Sequence, residues 1–389
     1  MLSITKLLTD YSNYGDSLRY HNSAKKSFHG TREGFGPVVA WNITGTCNLS
    51  CVHCYMDSKK QKYDGELSYN EAEEFIQDLA SFKVPVLLFS GGEPLMRNDF
   101  FKLLSLAKKL NIRPTVSTNG TLITQEVAKK LKNIDVGYVG ISLDGMQEAN
   151  DNFRQKKGAF EDALKGIENC VSVGQRVGLR FTMNRHNFKD LNLIFDLVEN
   201  ADINRICFYH LVYSGRGNTI KNQGLTHEET RQALDIIIER TLDFHRRGLN
   251  KEVLTVDNHA DAIYLYLKLK MIDSNRAEEV YKLMKNNSGN RSGIAFANVD
   301  NYGNVHPDQF TQQYNLGNVK EKPFSEIWKN GSQPILSSLR NRKALLKGRC
   351  TQCQWLEVCN GNFRARAEAI TGDFWQSDPG CYLTDCEIM

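Results

Sequence analysis

The sequence predicts an α/β fold of parallel strands joined by crossover helices, followed by a smaller cysteine-bearing extension. Three observations lead there. From about residue 37, short β-rich runs alternate with amphipathic helical segments, the pattern of βαβ units. After about residue 290 the alternation breaks into a glycine-containing hairpin and short helices. Seven of the ten cysteines fall into two groups, within 47–54 and 350–381, instead of being spread as disulfide staples.

The candidate strands are 38–43, 84–89, 112–116, 136–141, 177–182 and 205–209, mostly apolar runs as buried parallel strands require. Six strands are fewer than a closed eight-stranded barrel needs. Between them, a helix over 68–82 opens with a Ser68/Glu71 capping box and sets Ala72, Phe75, Ile76 and Leu79 on one face. A longer helix runs from a Thr226/Glu229 capping box to about Arg247, with Gly248 as its stop and Leu234, Ile237, Ile238 and Leu242 as core. The hairpin is expected over 298–307 and short helices over 324–339. The division is an N-terminal segment 1–36, a barrel domain 37–250, a helical linker 251–291 and a cysteine-bearing domain 292–389.

Composition limits the partners. Lysine and arginine outnumber the acids by 49 to 45, and a formal charge of +4 without a long basic run excludes binding that relies on neutralising nucleic-acid phosphates. No apolar stretch approaches the roughly 18–20 residues of a membrane span, and an N-terminus carrying Asp10 and Asp16 lacks a signal-peptide core. A cytoplasmic protein with no membrane partner is expected, and clustered cysteines in a reducing compartment point to metal. Cys170 and Cys207 read as small buried hydrophobes, while Cys386 lies close enough to Cys381 to substitute for it.

Each of the first four strands is followed within a few residues by a polar or glycine-containing motif. These are the Cys47/Cys51/Cys54 loop, Gly91-Gly92-Glu93-Pro94, Ser117-Thr118-Asn119-Gly120 and Ser142-Leu143-Asp144-Gly145. All would gather at the carboxyl ends of the strands, the face on which β/α barrels assemble active sites. The C-x3-C-x2-C loop supplies three thiolates where a four-iron cube takes four ligands, which leaves one iron open to a small molecule. A structural zinc site would want a closed set of four, with His53 cramped inside the loop.

That loop spacing together with GGEP, STNG and SLDG after successive strands resembles the radical S-adenosylmethionine superfamily. The resemblance implies a partial (β/α)6 barrel over about residues 37–215, with a [4Fe-4S] cluster on Cys47, Cys51 and Cys54 and S-adenosylmethionine on its open iron. It further implies reductive cleavage to a 5′-deoxyadenosyl radical, driven by an electron donor of the reduced flavodoxin or ferredoxin type. Gly91, Gly92 and Glu93 would meet the methionyl ammonium, and Asn119, Ser142 and Arg154 the ribose or carboxylate. Thr182 and Asn184 would lie on the adenine side, and His53 replaces the aromatic residue common before the third cysteine. Glycine backbone can approach a ligand closely, and a guanidinium can grip a carboxylate through two hydrogen bonds.

Cys350, Cys353, Cys359 and Cys381 make a closed set of four thiolates. Spacing alone fits a second, auxiliary [4Fe-4S] cluster or structural zinc. The region resembles the SPASM/twitch-like auxiliary-cluster extension, with Asp308 where a cysteine often follows the hairpin proline, which points to one auxiliary cluster. Segments 38–42, 51–55, 207–217, 303–310 and 381–385 resemble the NirJ/AhbC group, which remodels siroheme-derived iron tetrapyrroles in haem and haem d1 biosynthesis. The resemblance implies removal of acetate arms from 12,18-didecarboxysiroheme to give Fe-coproporphyrin III or of propionates towards haem d1; no residue separates the two, the acetate branch is preferred as the commoner route, and peptide maturation is a further alternative. For such a substrate His210, Arg216 and His306 are the first candidates for substrate-contacting catalytic residues, with Tyr213, His259, Asp257 and Asp308 nearby in the sequence.

Overall fold

The computed structural model describes residues 1–21, 27 and 29–389. Ten strands form one sheet: β1 (Leu2–Ser3), β2 (Val38–Asn42), β3 (Val86–Ser90), β4 (Arg113–Thr118), β5 (Val139–Ser142), β6 (Val177–Met183), β7 (Arg205–His210), β8 (Glu252–Val256), β9 (Phe296–Val299) and β10 (Val305–His306). Their spatial order is β1-β8-β7-β6-β5-β4-β3-β2-β9-β10. Every pairing from β8 to β9 is parallel, and only the outermost pairs, β1 with β8 and β10 with β9, are antiparallel.

All six expected strands occur, and two further parallel strands extend the set. β8 lies in the stretch expected as a helical linker, before the helices Ala260–Ile272 and Ser274–Asn287. It is only five residues long and begins with a charge, so its apolar signal is brief. β9, the first arm of the expected hairpin, also pairs with β2, with Val39 opposite Ala297. The sheet therefore runs without interruption from the barrel into the C-terminal extension.

Alternation along each strand divides two environments. Trp41, Leu87, Phe89, Ile141, Leu179, Phe181, Ile206 and Phe208 are fully buried against the helices. Trp41, for example, meets Phe75 edge-on at 5.4 Å. Phe75 belongs to the helix Tyr69–Ser81, whose Ser68/Glu71 capping box and buried Ala72, Phe75, Ile76 and Leu79 match the sequence pattern. The second capping box, Thr226/Glu229, opens the helix His227–Arg246. The alternate residues Val38, Leu88, Thr115, Arg180, Cys207 and Tyr209 face inward around a cavity of about 340 Å³.

At the amino ends of the strands, Glu252 of β8 is 1% exposed and gathers three guanidinium groups. Arg19 reaches it at 3.1 Å, Arg176 at 3.0 Å and Arg205 at 3.6 Å. Burial opposes its ionisation, but the three arginines outweigh burial and hold its carboxyl below the ordinary value. Glu252→Ala strands these arginines, and a loss of about 3–5 kcal/mol is expected, read as a lower denaturation midpoint under anaerobic conditions. A depressed carboxyl pKa stabilises above the ordinary value near 4.5 and loses that contribution as pH falls through the folded-state value. The gap between parent and variant should therefore narrow in acid.

Candidate active site

The carboxyl ends of β2 to β7 converge on a second cavity, of about 150 Å³, which abuts the interior one at Arg180, Tyr209, Asp257, Gln309 and Phe310. Its wall contains Cys47, Cys51 and Cys54, Gly91 and Gly92, Asn119, Ser142, Arg154, Thr182 and His210. The three thiols pack together with Leu49 and are all free. Burial pushes the Cys47 thiol up to about 12.

The cysteine loop is fixed by backbone. Gly92 donates to the Thr44 carbonyl at 2.7 Å and Glu93 to that of Thr46 at 2.8 Å. Gly91 has φ +132°, and a Cβ on Gly92 would lie 2.2 Å from the Thr46 oxygen, so neither position accepts a side chain. Arg216 adds a clamp: its backbone N–H donates to the Cys54 carbonyl at 2.9 Å, its Nε to that of Cys51 at 2.8 Å, and its Nη1 meets Asp57 at 2.6 Å. Its backbone N–H, Nε and Nη1 are thus engaged by the loop, while the side chain also lines the cavity.

Glu93 is fully buried, and its carboxylate accepts from Thr118 Oγ1 at 2.8 Å, the Asn119 N–H at 2.9 Å and the Leu95 N–H at 3.1 Å. It ties the turn after β3 to the turn after β4 and does not line the cavity, leaving the Gly91 and Gly92 backbone to face a ligand. Asn119 lines the wall and bonds Asn48 of the cysteine loop at 2.8 Å. Asn184 is also corrected. Its side chain bonds the Thr182 carbonyl and the His186 N–H within the turn after β6, away from the cavity.

Arg154 is buried, not a surface ion pair. It contacts Asp144 closely and donates to Cys51 Sγ at 3.5 Å, while its Nε has no protein partner. Asp144, 1% exposed, also accepts from the Thr182 N–H at 2.8 Å. It is a positioning residue that was visible in the SLDG motif without being singled out. His53 stacks on Phe153 with centroids 4.4 Å apart, and burial lowers its pKa to about 4, leaving a neutral ring. Tyr55, which donates to Asn42 at 2.8 Å, and Phe310, edge-on to it at 5.3 Å, close one side of the cavity.

Of the three substrate candidates, His210 and Arg216 line the reaction cavity. His210 ends β7, faces the cavity and is held by Asp261 at 2.9 Å, whose other oxygen accepts from Tyr382 at 2.9 Å. His306 is corrected: 2% exposed, it is fastened between the Tyr314 carbonyl at 3.1 Å and Asp300 at 3.4 Å, and lines neither cavity. Asp308 shapes its own turn through Ser292, the Phe310 N–H and Thr311. Asp257 borders both cavities with an unpartnered Oδ2, and His259 lines the inner one. The two expected buried cysteines, Cys170 and Cys207, are buried, whereas Cys386 is exposed.

In the extension, burial and the neighbouring thiols Cys381, Cys350 and Cys353 together raise Cys359 well above the ordinary value, so the four sit within mutual electrostatic reach. Among the described residues no three His, Cys, Asp or Glu side chains close on one point as a single metal ion requires.

A rim of strand ends carrying three thiols beside an apposed pair of glycine turns, followed by a four-thiol extension, defines the class: the chain belongs to the radical SAM superfamily. Residues 41–198 match that superfamily, and residues 293–354 match SPASM, an iron-sulfur cluster-binding domain. More particularly, it groups with tetrapyrrole enzymes. It is 51% identical over 397 residues to the Fe-coproporphyrin III synthase of Methanosarcina barkeri, spanning 100% of this chain and 99% of that protein. It is 42% identical over 378 residues to the pre-heme d1 synthase of Dinoroseobacter shibae, spanning 97% and 92%. The fold is shared with Streptococcus suis SuiB bound to its precursor peptide, at TM-score 0.72 and 17% identity over 90% of this chain and 76% of that one. The enzyme thus uses S-adenosylmethionine, a [4Fe-4S] cluster and an auxiliary cluster, and the two thiol groups fit these roles. No helix among the described residues is long and apolar enough to cross a membrane.

Arg216→Ala is expected to lower the iron bound by the reconstituted enzyme, because the cysteine loop loses its clamp. Iron analysis with the electron paramagnetic spectrum of the reduced protein checks this. A substrate-gripping role would instead raise KM at full iron content.

Proposed function

We propose that the enzyme removes acetate side chains from 12,18-didecarboxysiroheme to give Fe-coproporphyrin III, working in the cytoplasm with a reduced flavodoxin or ferredoxin-type electron donor. The observation that carries this reading is the 51% identity along the whole chain to an Fe-coproporphyrin III synthase. Propionate removal towards haem d1 is the second reading, favoured by the 42% identity to a pre-heme d1 synthase.

The bound cluster and S-adenosylmethionine supply reductive sulfonium cleavage and hydrogen abstraction from an unactivated carbon. The chain's own residues position and enclose. Cys47, Cys51 and Cys54 would hold the cluster, the backbone of Gly91 and Gly92 would meet the methionyl ammonium, and the Arg154 guanidinium, which lines the cavity, would meet the carboxylate. Ser142, Asn119 and Thr182 line the ribose and adenine side. Leu211, Val212, Tyr55 and Phe310 keep water from the reacting carbon. His210, oriented by Asp261, meets the macrocycle from the end of β7. Cys350, Cys353, Cys359 and Cys381 hold the auxiliary cluster.

The test is anaerobic turnover of the reconstituted enzyme with dithionite, S-adenosylmethionine and didecarboxysiroheme, following 5′-deoxyadenosine and tetrapyrrole mass together. Loss of acetate mass coupled to cleavage is expected, with Cys47→Ala silent in both. Loss of propionate mass would transfer the enzyme to the haem d1 branch, and cleavage beside an unchanged tetrapyrrole would overturn the substrate.

A further inference from the structure

We propose that Arg180 receives a carboxylate arm of the substrate at the floor of the reaction cavity. The assignment rests on the polycarboxylate substrate proposed above. Arg180 is the one charge in the strand β6, and its neighbours Leu179 and Phe181 are fully buried on the helical side, so its side chain enters the barrel. There it borders both cavities.

The other arginines around these cavities have protein partners. Arg154 holds Asp144, Arg216 holds Asp57, and Arg19, Arg176 and Arg205 share Glu252. Arg113 donates to the Gly137 carbonyl, and Arg291 to those of Gly30 and Thr31. Among the described residues Arg180 has no such acceptor. It lies 4.6 Å from the ring centroid of Tyr209, and the ionisable groups that act on it most are Tyr209, Tyr138, Cys207 and Tyr55, with the Asp257 carboxylate bordering the same two cavities.

Space has been cleared for it. A Cβ on Gly140 of β5 would meet Arg180 Cδ at 2.9 Å and Tyr138 Oη at 2.8 Å, and one on Gly178 would meet the Tyr138 ring at 2.6 Å. Tyr138 is 7% exposed, and its hydroxyl has no partner. Arg180 is partly accessible where it faces the cavities, and a carboxylate there could be gripped through two of its N–H donors. The inner cavity carries five further arginines, Arg19, Arg113, Arg176, Arg205 and Arg291, against the carboxylates of Glu252, Asp257 and Asp308, so the local field favours an incoming anion.

The experiment is titration of didecarboxysiroheme onto the reconstituted holoenzyme, followed in the Soret band, for the unsubstituted enzyme, Arg180→Gln and Arg180→Lys. S-adenosylmethionine affinity and iron content are measured alongside. Arg180→Gln is expected to weaken tetrapyrrole binding roughly 30-fold or more, with a smaller loss for S-adenosylmethionine and partial recovery in Arg180→Lys. A methyl-ester analogue should bind the unsubstituted enzyme less well than the free acid, with little further loss in Arg180→Gln. Equal binding by parent and Arg180→Gln, or a loss confined to S-adenosylmethionine, would overturn the assignment. If Arg180→Gln does not retain both clusters, the ester comparison on the unsubstituted enzyme decides, and equal affinity for acid and ester overturns it. Absence of tetrapyrrole binding by the unsubstituted enzyme would instead overturn the substrate reading, and this assignment with it.

Discussion

Two backbone hydrogen bonds, from Gly92 to Thr44 and from Glu93 to Thr46, press the turn after β3 onto the exit of β2. The contact is possible only because neither Gly91 nor Gly92 carries a side chain. From there the rim is linked turn to turn. Glu93 reaches forward to Thr118 and Asn119, Asn119 reaches back to Asn48, and Asp144 joins Arg154 to the N–H of Thr182. Each connection sits at the carboxyl end of a strand, so parallel register is converted into a ring that presents the three thiols to one cavity. The same ring explains why conspicuous polar residues such as Glu93 serve the frame and not the ligand.

Charge is arranged at two levels. At the rim, the buried carboxylates of Glu93 and Asp144 hold the loops. Inside the barrel, arginines converge on Glu252, whose single negative charge leaves a surplus of positive charge facing the cavity. The enzyme is nearly neutral overall, with a formal charge of +4, so an electropositive interior is not visible in its totals.

Much of this was legible in the sequence. The capping boxes at Ser68 and Thr226, the six inner strands and the motif-bearing strand ends follow from periodicity and from residues with few conformational alternatives. β8 was obscured because five residues beginning with Glu252 give a weak apolar signal. The pairing of β9 with β2 joins residues far apart in the chain, which local pattern cannot register. His306 looked available because its residue type suits a carboxylate-rich substrate, yet both its ring nitrogens are engaged inside the protein. Arg180 carried the opposite signal, a lone cation within an apolar strand, and its meaning needed the three-dimensional inventory of partners.

The parallel pairing of Val39 with Ala297 also has a bearing on biosynthesis. The strand that launches the cysteine loop lacks its outer neighbour until the ribosome has passed residue 299. Domains that fold as units during translation ordinarily do so from the amino end. Here the strand at residues 38–42 must wait for the one at 296–299, a high-contact-order closure that delays completion of the rim. The β2 edge of the rim is therefore completed only after the barrel strands between β2 and β9 in the chain have been made.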